Sequence, residues 1–190
     1  TPTAPPQTGA RLALVGGMLL DGYDAPPIHH AAILIEGDRI VRAGPRSEVA
    51  IPAGTRLIDT SGRTMMPGMI ELHAHLVLLG HGDYGRWFPW METQGRAHML
   101  PQVMEIAAKQ LLMAGVTSAV DLGAPLAESL AIRDRIAKGE AAGPRMWMSG
   151  PWLTRNVAIF PEDYQIKVTS PAQAAAETER LAAAGVDVIK

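Results

Sequence analysis

His73 and His75, separated by one residue, are the pair in this sequence with the plainest capacity for chemistry. They close the run Met66-Pro67-Gly68-Met69-Ile70-Glu71-Leu72-His73-Ala74-His75-Leu76. Met69, Ile70 and Leu72 are apolar, and Pro67-Gly68 punctuates the entry, which predicts a buried strand. Residues two apart on a strand point to the same face, so the two imidazoles project side by side. Neutral imidazole nitrogen binds zinc at about 2.0–2.1 Å, so such a pair can hold a divalent cation. Two ordinary histidines in a loop after a strand would leave the same short pattern. The sequence has no cysteine, which excludes disulfides, thiolate metal sites and cysteine nucleophiles. Any metal must therefore be held by histidine, carboxylate or a modified side chain.

The elements that must position this pair change character along the chain. The chain has 190 residues, 47% of them hydrophobic, and a formal net charge of -2, enough apolar material for a sizeable core. There are no basic runs, so nothing points to nucleic acid, and no stretch of about 18 uncharged apolar residues points to a membrane span. Residues 1–10 read as a flexible, Pro-rich lead; starting without Met, they suggest a processed or otherwise cut N-terminus, with export slightly favoured over the cytoplasm. Residues 11–67 read as β structure: short apolar runs at Leu12–Val15 and Met18–Leu20, a hairpin over residues 31–44 and a strand at Arg56–Asp59. His29 and His30, beside Pro26-Pro27, read as surface loop residues.

From Gly68 onward strands and helices alternate, the grammar of an α/β fold. The histidine strand leads into a long segment, Val77–Ala97, rich in Gly, Trp, His, Asp and Arg. A helix is expected over His98–Ala114, with Pro101 in its first turn, so that the start could fall a residue or two later. A strand at Val116–Gly123, a helix over Ala124–Ala142 and a strand at Arg145–Gly150 follow. Residues 156–169 read as an insertion. Ser170 is a helix N-cap with Pro171 at the first helical position, the helix runs to Ala184, and Gly185 stops it. Val186–Lys190 reads as a fourth strand. Asp121, at the end of the second strand, reads as a hydrogen-bonding loop residue ahead of a catalytic one.

The stretch Pro67-Gly68-Met69-Ile70-Glu71-Leu72-His73-Ala74-His75 resembles the first barrel strand of the amidohydrolase superfamily, with Glu71 where aspartate is commonest. Gly115-Val116-Thr117-Ser118-Ala119-Val120-Asp121 and Ala184-Gly185-Val186-Asp187-Val188-Ile189-Lys190 resemble the superfamily's second and fourth strands. The closest resemblance is to the branch holding Xaa-Pro dipeptidase (prolidase)-like, imidazolonepropionase-like and ochratoxin-hydrolysing amidohydrolases. It implies a (β/α)₈ TIM barrel, with residues 68–190 its first four strands and residues 11–67 the first part of an N-terminal β-sandwich subdomain. Residues 68–190 are about half of the roughly 250 a barrel takes, so the chain is expected to be the N-terminal portion of a longer polypeptide.

The resemblance also implies the chemistry. His73, His75 and Lys190, the last as a CO₂-derived carbamate, are the expected ligands of two divalent ions, Zn²⁺ above others. The general-base aspartate is expected beyond residue 190. The expected activity is hydrolysis of an amide or peptide bond to an amino acid, in a dipeptide or an N-acyl amino acid, ochratoxin-type amides included. Loops after barrel strands form the active face, so His81, Tyr84, Trp87, Trp90, Trp152 and Arg155 are candidate substrate-binding residues, Arg155 as a holder of a carboxylate. An aromatic plug or subunit contact is the competing reading of the Trp-rich segment. A homo-oligomer is expected. A cyclic amide or imide hydrolase and a non-catalytic degenerate barrel stay open as alternatives.

Overall fold

The computed structural model describes residues 10–78, 82–158 and 160–190. Residues 1–9 of the expected lead, and the candidate His81, lie outside the described residues. The chain divides into two compact units, the first ending at Pro67 and the second running Gly68–Lys190.

The first unit holds β1 (Arg11–Val15), β2 (Met18–Leu19), β3 (Ala31–Glu36), β4 (Arg39–Pro45), β5 (Arg56–Asp59) and β6 (Thr64–Met65). Four of them form one sheet in the order β4-β3-β1-β5, and β2 pairs separately with β6. β3 is buried at each of its first four positions because both its faces are covered. Alternation sends Ala32 and Leu34 to a cluster with Ala13 and Val49, and Ala31 and Ile33 to another with Leu19 and Met65.

The second unit alternates in type. It contains β7 (Met69–Ala74), α1 (Tyr84–Thr93), α2 (Arg96–Met113), β8 (Val116–Asp121), α3 (Leu126–Ala137), β9 (Arg145–Met148), β10 (Trp152–Thr154), β11 (Gln165–Lys167) and α4 (Pro171–Ala184). β7, β8 and β9 form a parallel sheet in that order. Parallel neighbours need a crossover; the α1–α2 segment joins β7 to β8, and α3 joins β8 to β9. Leu100, Met104, Ala107 and Ala108 recur at helical spacing on α2 and pack with Val116, Ala119, Met146 and Met148 from the sheet. Ser170 caps α4 by accepting from the Gln173 N–H, and Gly185 ends it in the left-handed region at φ 93°. Among the described residues no helix is long and apolar enough to cross a membrane.

β7, expected to be buried, exposes Met69, Ile70 and Leu72, and three further elements depart from the sequence-based expectation. The Trp-rich segment is not an irregular loop: ten of its residues form α1. Asp83 caps it by accepting from the Arg86 N–H, and Phe88 and Met91 bury its inner face. α2 begins at Arg96, earlier than expected, and carries Pro101 in its interior. Its start is anchored by Arg96, which pairs with Glu92 at 2.7 Å and with Asp163 at 2.6 Å. The missing proline N–H costs that helix one internal bond. Finally, Val186–Lys190 forms no regular strand. It meets its neighbours through two separated backbone bonds, Asp187 N–H to Met148 O at 2.9 Å and Leu153 N–H to Lys190 O at 2.8 Å. The Met148 N–H that a parallel ladder would use is already taken by the Asp187 carboxylate at 2.9 Å.

Candidate metal centre

His73 and His75 sit at the carboxyl end of β7, one on the strand and one just past it. Strand alternation brings their Nε2 atoms to 3.3 Å of each other. The Lys190 Nζ lies 3.3 Å from the same His73 Nε2. Three nitrogens from the two ends of this unit therefore converge. Among the described residues no group of three or more His, Cys, Asp or Glu side chains is placed to hold a metal, so the convergent set is two imidazoles and one amine.

The protonation pattern follows from the partners. His75 Nδ1 is 3.2 Å from the Gly123 carbonyl oxygen. A carbonyl only accepts, so Nδ1 carries the proton and the neutral ring presents a bare Nε2. If Lys190 donates to His73 Nε2, then two imidazole lone pairs face each other at 3.3 Å with nothing between them. If His73 Nε2 carries a proton for His75, it cannot accept from Lys190. A cation between the two Nε2 atoms would serve the imidazole pair in place of a proton. The spacing agrees: two nitrogens each about 2.05 Å from a tetrahedral zinc stand about 3.3 Å apart. The residues present thus fit a metal of the zinc type.

Behind the histidines lies Asp121, the last residue of β8, fully buried. Its Oδ2 accepts the Leu76 N–H at 2.8 Å, and its Oδ1 accepts the Gly123 N–H at 2.9 Å. The carboxylate thereby clamps the residue after His75 and the residue whose carbonyl holds His75. Burial raises the Asp121 pKa above the ordinary carboxylate value, and the two backbone N–H groups oppose that rise. Burial lowers the His75 pKa below the ordinary imidazole value, against the Gly123 carbonyl and Asp121. Burial lowers the Lys190 pKa as well, with Asp121 opposing.

Trp152, on β10, walls the cluster. Its ring meets His75 edge-on with centroids 6.3 Å apart, and Lys190 Nζ sits 5.3 Å from its centroid, within cation–π range. Phe160 meets Trp152 at 5.1 Å and continues to Phe88 at 5.4 Å and Tyr84 at 5.7 Å. Phe160 had no sequence signal as a member of this wall, because its placement comes from the segment that returns beside β10. The other candidates lie apart from the nitrogens. Tyr84, Trp87 and Trp90 are on α1; Trp87 donates its indole N–H to Val77 O at 3.0 Å and stacks on Trp90 at 5.2 Å. Arg155 lines a separate cleft with Thr169 and Ser170 at the start of α4.

Residues 64–190 match the amidohydrolase family. Over 153 residues, 74% of this chain, the sequence is 32% identical to a 5-methylthioadenosine/S-adenosylhomocysteine deaminase of Symbiobacterium thermophilum, of which it covers 35%. Over 53 residues, 28% of this chain, it is 43% identical to an imidazolonepropionase of Streptomyces griseus, of which it covers 13%. A crystal structure of a protein described as a candidate prolidase from Bifidobacterium longum superposes on 96% of this chain with a TM-score of 0.77 at 26% identity. The chain spans 40% of that prolidase-like chain.

Proposed function

This chain belongs to the amidohydrolase family, and we propose that it carries the metal-holding face of a hydrolase that cleaves a carbon–nitrogen bond in a small amide. The observation that supports this reading is that His75 Nε2 and Lys190 Nζ each lie 3.3 Å from His73 Nε2, with His75 Nδ1 turned to the Gly123 carbonyl. In this reading residues 68–190 are half of a (β/α)₈ barrel, and the first unit is the first part of a β-sandwich. Ile70 (66%) and Leu72 (69%) are two apart on β7 and so share one exposed face, which a further packed layer would cover.

His73 and His75 would hold a divalent ion of the zinc type, and Lys190, once carboxylated, would add oxygen donors to the same centre. When bound, such ions supply Lewis acidity toward a carbonyl oxygen and toward water. The chain's own residues prepare for this. Burial favours the neutral Lys190 amine, the form that can add to CO₂. That addition forms an N–C bond and releases one proton, giving an anion with two oxygen donors. Asp121 holds the backbone on both sides of His75 and so keeps its ring aimed. Trp152 covers one side of the cluster, limiting water and offering an aromatic face to substrate.

The substrate in this reading is a dipeptide or N-acyl amino acid, with ochratoxin-type amides included, and Trp152, beside His75 and Lys190, takes its bulky apolar part. Self-association of the full-length protein accompanies this reading. Hydrolytic deamination of a small heterocycle is the second reading, favoured by the 32% identity to the deaminase. The test is metal analysis of the full-length protein beside Lys190→Ala, followed by a screen of amides and amino-heterocycles. Two ions per chain in the wild type, fewer in the variant, and release of an amino acid are expected. Two ions in both proteins would remove Lys190 from the centre, and release of ammonia alone would select deamination.

A further inference from the structure

We propose that Gly123 is the positioning residue of this centre: its carbonyl fixes which nitrogen of His75 carries the proton, and its missing side chain makes the room in which Trp152 and His75 meet. The proposal rests on the reading of His75 as a metal ligand.

The His75 Nδ1–Gly123 O contact at 3.2 Å assigns the proton to Nδ1 and leaves Nε2 as the donor atom. Metal-binding histidines gain both orientation and tautomer from the partner of their second nitrogen. Here that partner is main chain, so its aim depends on backbone position alone. Asp121 sets that position with two bonds, from the Gly123 N–H to Oδ1 at 2.9 Å and from the Leu76 N–H to Oδ2 at 2.8 Å, beside the backbone bond from the Leu122 N–H to the Ala74 carbonyl at 3.0 Å.

The space at Gly123 is the second half of the argument. A Cβ there would fall 2.5 Å from Cζ3 of Trp152 and 3.1 Å from Cε1 of His75. The first distance is shorter than a real Cβ contact, so the indole must move. It has little freedom, because it packs perpendicular to Phe160 at 5.1 Å, and Phe160 in turn packs on buried Phe88 at 5.4 Å. The second contact falls on the carbon bonded to both ring nitrogens of His75. Displacing Cε1 moves Nδ1 off its carbonyl and Nε2 off its place opposite His73. A single methyl group at residue 123 thus disturbs the histidine directly and through Trp152, while the ligand set stays chemically intact.

The experiment uses the full-length protein with histidine labelled by ¹⁵N. In the metal-free wild type, long-range proton–nitrogen correlation is expected to find His75 as the Nδ1–H tautomer. In Gly123→Ala that population falls, and zinc affinity measured against a chromophoric chelator drops about 10–100-fold, the usual cost of losing such a partner. An Nε2–H tautomer in the wild type overturns the proposal, and that measurement decides the matter even if Gly123→Ala does not fold. Wild-type zinc affinity in folded Gly123→Ala overturns it equally. Failure of the wild type to bind zinc defeats the metal-ligand reading by itself, and the tautomer then still judges Gly123.

Discussion

Replacing Asp121 by asparagine tests the idea that this buried carboxylate works as a clamp. In the wild type both oxygens accept backbone N–H groups, from Leu76 at 2.8 Å and Gly123 at 2.9 Å. Asparagine keeps one carbonyl oxygen, so one of these bonds survives. Its amide NH₂ then faces the other N–H, donor against donor. The loss is one charge-assisted bond and one satisfied buried donor, about 1–3 kcal/mol. Relief of the burial cost of the carboxylate, which shows as its raised pKa, offsets part of this. Alanine orphans both N–H groups and should cost more, about 2–6 kcal/mol. Urea denaturation of the metal-free protein reads both values, since a domain has roughly 5–15 kcal/mol in total. The expected order of midpoints is wild type, then Asp121→Asn, then Asp121→Ala. An asparagine variant as stable as the wild type would refute the clamp and turn Asp121 into a residue kept for its charge.

Two further predictions concern groups with other roles. The His75 pKa is depressed in the fold, so the unfolded chain binds more protons below the ordinary imidazole value of about 6.5. The metal-free protein should therefore lose stability as pH falls through that value, and His75→Gln should flatten the loss; an unchanged slope in denaturation midpoints between pH 7 and 5 would contradict the assignment. Ser170→Ala should cost about 1 kcal/mol, because Ser170 Oγ accepts the Gln173 N–H at 3.2 Å, while Ser170→Asp should hold wild-type stability; thermal unfolding by circular dichroism measures both.

What could be read from the sequence was what depends on neighbours in the chain. The two histidines share a face because strands alternate, and the Ser170-Pro171 start and Gly185 stop of α4 need only local backbone chemistry. α1 was hidden by its composition. Gly85 and Pro89 argue for a loop, yet Phe88 and Met91 fall on one helical face, and their burial decides the outcome. The last five residues show the opposite error. Val186-Asp187-Val188-Ile189-Lys190 has the residue types of a strand, but Asp187 spends its carboxylate on the Met148 N–H and on Arg133 at 2.9 Å, and so interrupts the ladder.

Gly123 marks where a sequence reading ends for a physical reason. Its contribution consists of a carbonyl that every residue possesses and of a side chain that it lacks. Neither carries a residue-type signature of chemistry, so the search for histidines, carboxylates and lysine passes over it. Asp121 was legible as a hydrogen-bonding residue, but its two partners lie 45 residues upstream and two downstream, and only the folded chain shows that both frame His75. Type and spacing bring His73 and His75 forward as candidates, whereas the Gly123 carbonyl and the Asp121 carboxylate that frame His75 become visible only when β7 and β8 are laid side by side.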